Sequence, residues 1–92
     1  MKGFKLPPKG GFMGKQYHYL KTETEYFQAI EEGKKKFELR KNDRDFKEYD
    51  MIYLLETVNG IKTGRETDGF EIKYILHGGK HGLDKNYCVI NW

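Results

Sequence analysis

One cysteine, two prolines and no long apolar run set the first limits on this 92-residue chain. A lone thiol, Cys88, excludes an internal disulfide and cannot by itself build a metal cluster, so a reducing compartment is the expected setting. The opening residues mix Lys with Gly and Pro and lack the apolar core of a signal peptide. No segment approaches the length that spans a bilayer. A cytoplasmic protein with no membrane partner is therefore expected. Histidine is scarce as well. His18, His77 and His81 show no ligand spacing with the cysteine, which argues against zinc, and nothing in the sequence calls for a cofactor. The phosphate-loop pattern is also missing: Gly78-Gly79-Lys80-His81-Gly82 has the basic, flexible look of a phosphate nest but precedes no helix, and it reads as a hairpin loop.

Charge of one sign is only slightly in excess. The 17 Lys and Arg outnumber the 14 Asp and Glu by three, a weak pull toward a polyanionic partner. The excess is concentrated at one end, where Lys2, Lys5, Lys9 and Lys15 are interleaved with Gly and Pro and no acid intervenes. Residues 1–15 are expected to be a flexible basic tail, and residues 16–92 one domain without internal repeats. The domain is small and must build its core on a high aromatic share, 15% of the residues, and a few aliphatics.

Strand formers begin at Tyr17-His18-Tyr19-Leu20-Lys21. Thr22 follows as a helix N-cap, with Glu25 completing a capping box. The helix places Tyr26, Phe27 and Ile30 on one side and stops at Gly33. From Lys36 to Lys41 apolar and charged residues alternate, predicting a strand with Phe37 and Leu39 in the core and Lys36, Glu38 and Arg40 on the other face. Asn42-Asp43-Arg44-Asp45 supplies turn formers. Asp50 to Thr57 is a second strand that ends at the hairpin signal Asn59-Gly60. The alternation from Phe70 to His77 puts Phe70, Ile72, Tyr74 and Leu76 on one face, and Tyr87 to Trp92 closes the domain. These elements predict an α+β, mostly β fold: an antiparallel sheet curled into a small barrel with one N-terminal helix packed on it.

The spacing Gly33-x-Lys35-x-x-Glu38-x-Arg40 resembles the signature of ASCH domains, which belong to the PUA-like superfamily. The wider set His18-Tyr-Leu-Lys-Thr22, Tyr26-Phe27-x-Ala29-Ile30, Phe37 to Phe46, Asp50, Thr63-Gly-Arg65 and Tyr74-Ile-Leu resembles a small ASCH-like branch of bacteria and their phages. The resemblance implies a PUA-like barrel with a cleft beside the signature, and a role in binding RNA or modified nucleosides. Some compact ASCH proteins are amidohydrolases of an acylated cytidine. In those, the position of Glu38 holds a threonine nucleophile, which this chain lacks there.

Residue chemistry supplies candidates for such a cleft. Arg40 presents a planar donor fork to a phosphate or carbonyl, and Lys35 a point charge or, if desolvated, a base. Glu38 can accept from the exocyclic amine of a nucleobase, as carboxylates do from cytosine. Against this stands an ordinary solvated pair for Glu38 and Arg40 and a solvated lysine in Lys34-Lys35-Lys36. Lys21 lies beside the helix start, where the dipole offers a cation nothing, so a ligand role is favoured. Arg44 is a second phosphate contact. His18 shares the inward face of Leu20 and is either a hydrogen-bonded core histidine or a catalytic one. Tyr53 and Tyr74 are read first as core and second as stacking platforms for a base. Arg65 enters through the resemblance.

The leading expectation is an RNA- or nucleotide-binding module using Lys21, Lys35, Glu38, Arg40 and Arg44. The alternative is a hydrolase of an acylated nucleoside with Lys35 and Glu38 as catalytic groups. A third is a protein-interaction module.

Overall fold

The computed structural model describes residues 14–92. Most of the expected basic tail, residues 1–13, lies outside the described residues. Seven strands and one helix follow in the order β1 (Tyr17–Glu23), α1 (Thr24–Glu31), β2 (Phe37–Lys41), β3 (Met51–Val58), β4 (Ile61–Glu66), β5 (Phe70–Glu71), β6 (Tyr74–His77) and β7 (Tyr87–Asn91). Two sheets result: β1-β3-β4 with β5 also paired to β3, and β2-β7-β6. The mostly-β expectation with a single short helix holds, but the ladders form two sheets rather than one closed barrel. The pair β1–β3 is moreover parallel. Parallel neighbours need a long crossover, and α1 and β2 lie within it.

In β1, His18, Leu20 and Thr22 are buried, and the register sets them beside Ile52, Leu54 and Glu56 of β3. The strand runs through Glu23, so Thr22 does not cap the helix as its sequence suggests. Ladder pairing with β3 continues to Glu23↔Thr57 and keeps Thr22 in the strand, and the helix starts at Thr24 with no side-chain cap on its first amides. The helix ends as expected. Gly33 takes φ +77°, and the amides of Gly33 and Lys34 donate to the carbonyls of Ile30 and Ala29, a Schellman closure that a residue with a Cβ enters only at a cost.

One predicted face is inverted and another is split. The alternation in β2 is real, but Phe37 and Leu39 are 47% and 53% exposed, whereas Glu38 is only 7% exposed. Register with β7 decides this: Glu38 and Arg40 lie beside Ile90 and Cys88, both fully buried, so the charged side of β2 faces inward. Periodicity fixes which residues share a face, not which face is covered. The segment from Phe70 to His77 is not one strand either. β5 pairs with β3 in the first sheet, Ile72 and Lys73 bridge the gap, and β6 pairs with β7 in the second. The crossing shifts the phase: Ile72 and Ile75 are buried, while Tyr74 and Leu76 point outward. The core lies between the sheets and joins Leu20, Ile52, Leu54, Ile75 and Ile90 to Ile30 of the helix and Phe46. Burial of such side chains is the main stabilising term in a domain of this size.

Among the described residues no helix is long and apolar enough to cross a membrane.

Candidate functional site

Among the described residues β1 pairs only with β3, and no strand lies beside its second edge. That edge is closed by side chains. The carbonyl of Lys21 accepts from Arg40 Nη1 at 3.0 Å, and the carbonyl of Tyr19 accepts from Arg44 Nη1 at 3.3 Å. Thr22 Oγ1 donates to Glu38 Oε2 across the same seam at 3.2 Å. Two arginines thus satisfy main-chain acceptors that an unpaired edge would leave to water.

Glu38 sits at the middle of the seam. Besides Thr22, it has Lys35 Nζ at 3.6 Å and Arg40 Nη1 at 4.0 Å from Oε1. A nearly buried carboxylate is tolerable only with such partners. Lys35 is not the solvated lysine that its neighbours suggest. Its ammonium donates to the Phe37 carbonyl at 2.7 Å and lies 4.7 Å and 5.5 Å from the ring centroids of Phe37 and Tyr26. The result is a cleft of about 400 Å³ lined by Tyr26, Lys35, Phe37, Glu38 and Leu39. That volume falls in the range of small-ligand sites, roughly 300–1,000 Å³. Its walls are aromatic and aliphatic, and it holds one cation and one anion.

Of the residues singled out in the sequence, Lys35, Glu38, Arg40 and Arg44 come together along the seam. Lys21 contributes its carbonyl there, while its side chain is exposed. The remaining candidates lie elsewhere. His18 is buried, with Nε2 2.9 Å from Asp50 Oδ2 and its ring against Phe46. Asp50 also accepts from the amides of Gln16 and Lys47, so this pair ties the start of β1 to the entry of β3. Tyr53 is buried and stacked on Tyr19 with centroids 4.9 Å apart. Tyr74 is 59% exposed on the outer side of the second sheet, so the core reading fails for it.

Arg65 belongs to a second carboxylate cluster that the sequence did not disclose. Glu56 accepts from Thr24 Oγ1 at 2.6 Å and from Thr63 Oγ1 at 2.7 Å, with Arg65 Nη1 at 3.5 Å. The Arg65 guanidinium lies over the Phe27 ring at 5.1 Å. The two hydroxyl bonds, from Thr24 and then Thr63, hold the Glu56 carboxyl below its ordinary pKa, with a smaller contribution from Arg65 and a partial offset from burial. Thr22, expected as a helix cap, and Thr24 are therefore hydroxyl donors to two different carboxylates. The available signal was Thr22 sharing a strand face with His18 and Leu20. Burial pushes the Cys88 thiol up, partly offset by the charge of Arg40 beside it on the neighbouring strand.

Among the described residues no group of three or more His, Cys, Asp or Glu side chains is placed to hold a metal ion. Another cleft of about 400 Å³, with Phe70, Trp92, Lys36 and Lys73 in its lining, contains no buried charge.

Known proteins give this geometry a family. A stretch of 51 residues, 55% of the chain, is 41% identical to a protein of Escherichia phage P2 named "Uncharacterized 12.9 kDa protein in GpA 3'region". The match covers 47% of that protein, so the chain spans about half the length of this relative. The family described as "Domain of unknown function (DUF3850)" matches residues 17–92, from the start of β1 onward, and the chain belongs to that family.

Proposed function

We propose that the chain is a nucleotide- or RNA-binding module whose cleft beside Gly33-x-Lys35-x-x-Glu38-x-Arg40 takes a nucleobase, the role implied by the resemblance of that run to the ASCH signature. The observation that carries this reading is Glu38, a nearly buried carboxylate beside a cleft walled by Tyr26 and Phe37. A carboxylate in that position accepts from an exocyclic amine, and the flanking rings supply stacking surface. Lys35 Nζ lies near both the acid and the rings and adds a donor for a base carbonyl or phosphate. Arg40 and Arg44 spend donors on the β1 edge, so their share in the ligand is smaller than their charge suggests.

Titrating cytidine and cytidine monophosphate against the protein and its Glu38→Gln variant by calorimetry tests this. The amide offers a donor where the carboxylate accepted, and loss of one charged hydrogen bond weakens binding about tenfold. Equal affinity of parent and variant overturns the reading.

One observation favours a second reading, hydrolysis of an acylated nucleoside. Thr22 Oγ1 already donates to Glu38 Oε2, with Lys35 on the other side of the acid, so a hydroxyl, a base and a cation stand together. Thr22 would pass its proton to Glu38 and bond to the acyl carbon. The amine would leave with that proton, and water would then release the carboxylic acid. Incubation with an N-acylated cytidine, read by mass spectrometry, decides: absence of product, or product formation unchanged in Thr22→Val, excludes it.

A further inference from the structure

The inverted phase of β2 and the shifted phase of β6 leave an unusual surface. The outer side of the β2-β7-β6 sheet carries two cross-strand rows, Phe37-Asn91-Tyr74 and Leu39-Val89-Leu76, and then Lys41 beside Tyr87. Every one of these side chains is exposed other than Val89 and Asn91, which are half-buried. No acid occurs among the eight. No described element packs over them, because the core lies on the opposite side, against Ile75, Cys88 and Ile90. Contiguous exposed apolar faces of this extent mark interaction sites in small proteins.

The chemistry of the face selects its occupant. Three aromatic rings are spread over it. Phe37 and Tyr74 flank the same residue, Asn91, so they stand two strand spacings apart, about 10 Å. One base cannot cover both rings, whereas successive bases of a strand can. Lys41 is the exposed cation on the face, and the half-buried Lys35 lies over the Phe37 ring at its edge. The same face of a second copy would offer Lys41 no acid to pair with. A polyanion with flat apolar faces suits both the rings and the charges. Aromatic side chains on an open sheet with flanking lysines are a recurrent way of holding single strands without sequence preference.

We infer that the outer face of the β2-β7-β6 sheet is a docking platform for single-stranded nucleic acid, with bases stacked on Phe37, Tyr74 and Tyr87 and phosphates met by the flanking lysines. The inference shares its ligand class with the cleft reading and rests on it in one respect. Phe37 and Leu39 line both surfaces, so a strand on the platform leads one of its bases to the Glu38 cleft.

The test measures fluorescence anisotropy of labelled twelve-residue oligocytidylate in its RNA and DNA forms, whose bases carry the exocyclic amine, with the full chain and with uridine and cytidine monophosphates as competitors. Variants are Tyr74→Ala, Tyr87→Ala and Glu38→Gln, each checked for an unchanged melting transition. The platform predicts oligomer binding far tighter than that of either mononucleotide, falling steeply with salt, and weakened about tenfold by each tyrosine substitution. Oligomer binding lost in the tyrosine variants but retained in Glu38→Gln supports the platform and overturns the cleft reading. Binding that responds to Glu38→Gln and not to the tyrosines overturns the platform and leaves the cleft. Absence of oligomer binding overturns the platform, and self-association abolished by Leu76→Asp would then assign the face to a second copy.

Discussion

The two edges of β1 are held by different physics. Toward β3 the strand is joined by a parallel ladder seven residues long, backed by Leu20, Ile52 and Leu54, all fully buried. Toward β2 it is joined only by side chains, through Arg40, Arg44 and the Thr22–Glu38 bond. A ladder over a dry core cannot open without losing many interactions at once. The other edge is a row of independent polar contacts, each of modest net worth in partly solvated surroundings. Cleft chemistry belongs on the second kind of edge, because polar groups there are paired one by one, partly exposed, and able to change partner when a ligand arrives.

Substitutions on the two edges separate these roles. The largest effect is expected on the β3 side: Leu54→Ala removes a fully buried side chain and costs about 2–5 kcal/mol, measured by denaturant unfolding. If it costs less than the seam substitutions, the ranking of the edges is wrong. Asp50→Ala comes next. It leaves the buried His18 ring and the amides of Gln16 and Lys47 without their acceptor, at about 1–3 kcal/mol.

Arg44→Ala, which frees one edge carbonyl, should cost only about 0.5–1.5 kcal/mol. Hydrogen exchange sharpens this case: amides of β2 should exchange faster in the variant while those of β3 keep their protection, and uniform acceleration would show that the edges do not open separately. The smallest effect is expected from Glu56→Gln, and it depends on pH. Glu56 titrates below the ordinary carboxylate value of 4.5 in the folded protein, so its contribution is present above that value and is lost as the pH falls through the lowered one. The melting temperature of the variant should lie below that of the parent near neutral pH and converge with it in acid. A gap that persists in acid would mean that Glu56 acts by packing rather than by charge.

Much of this was legible in local sequence. Gly33 ends the helix because its φ is positive, and Asn59-Gly60 turns the β3–β4 hairpin with both residues at positive φ. The grouping of Glu38 with Arg40 also followed from strand alternation, and Lys35 joined them through the resemblance of the run to a family signature. Other features were not legible, for one shared reason. Thr22 reads as a cap until the ladder with β3 keeps it in the strand, and Glu56 reads as one acid among many until Thr24 and Thr63 converge on it. Phe37 and Tyr74 read as core until register places them outside.

The sequence by itself determined what repeats within a few residues: the helix and its glycine stop, the hairpin turn, the alternation in β2 and the cluster of charges after Gly33. Only the tertiary structure decided which side of each strand is covered, which carbonyls of β1 need a donor, and where the chain changes sheet between Ile72 and Tyr74. Those outcomes depend on partners that lie tens of residues away along the chain, and no local pattern carries that information.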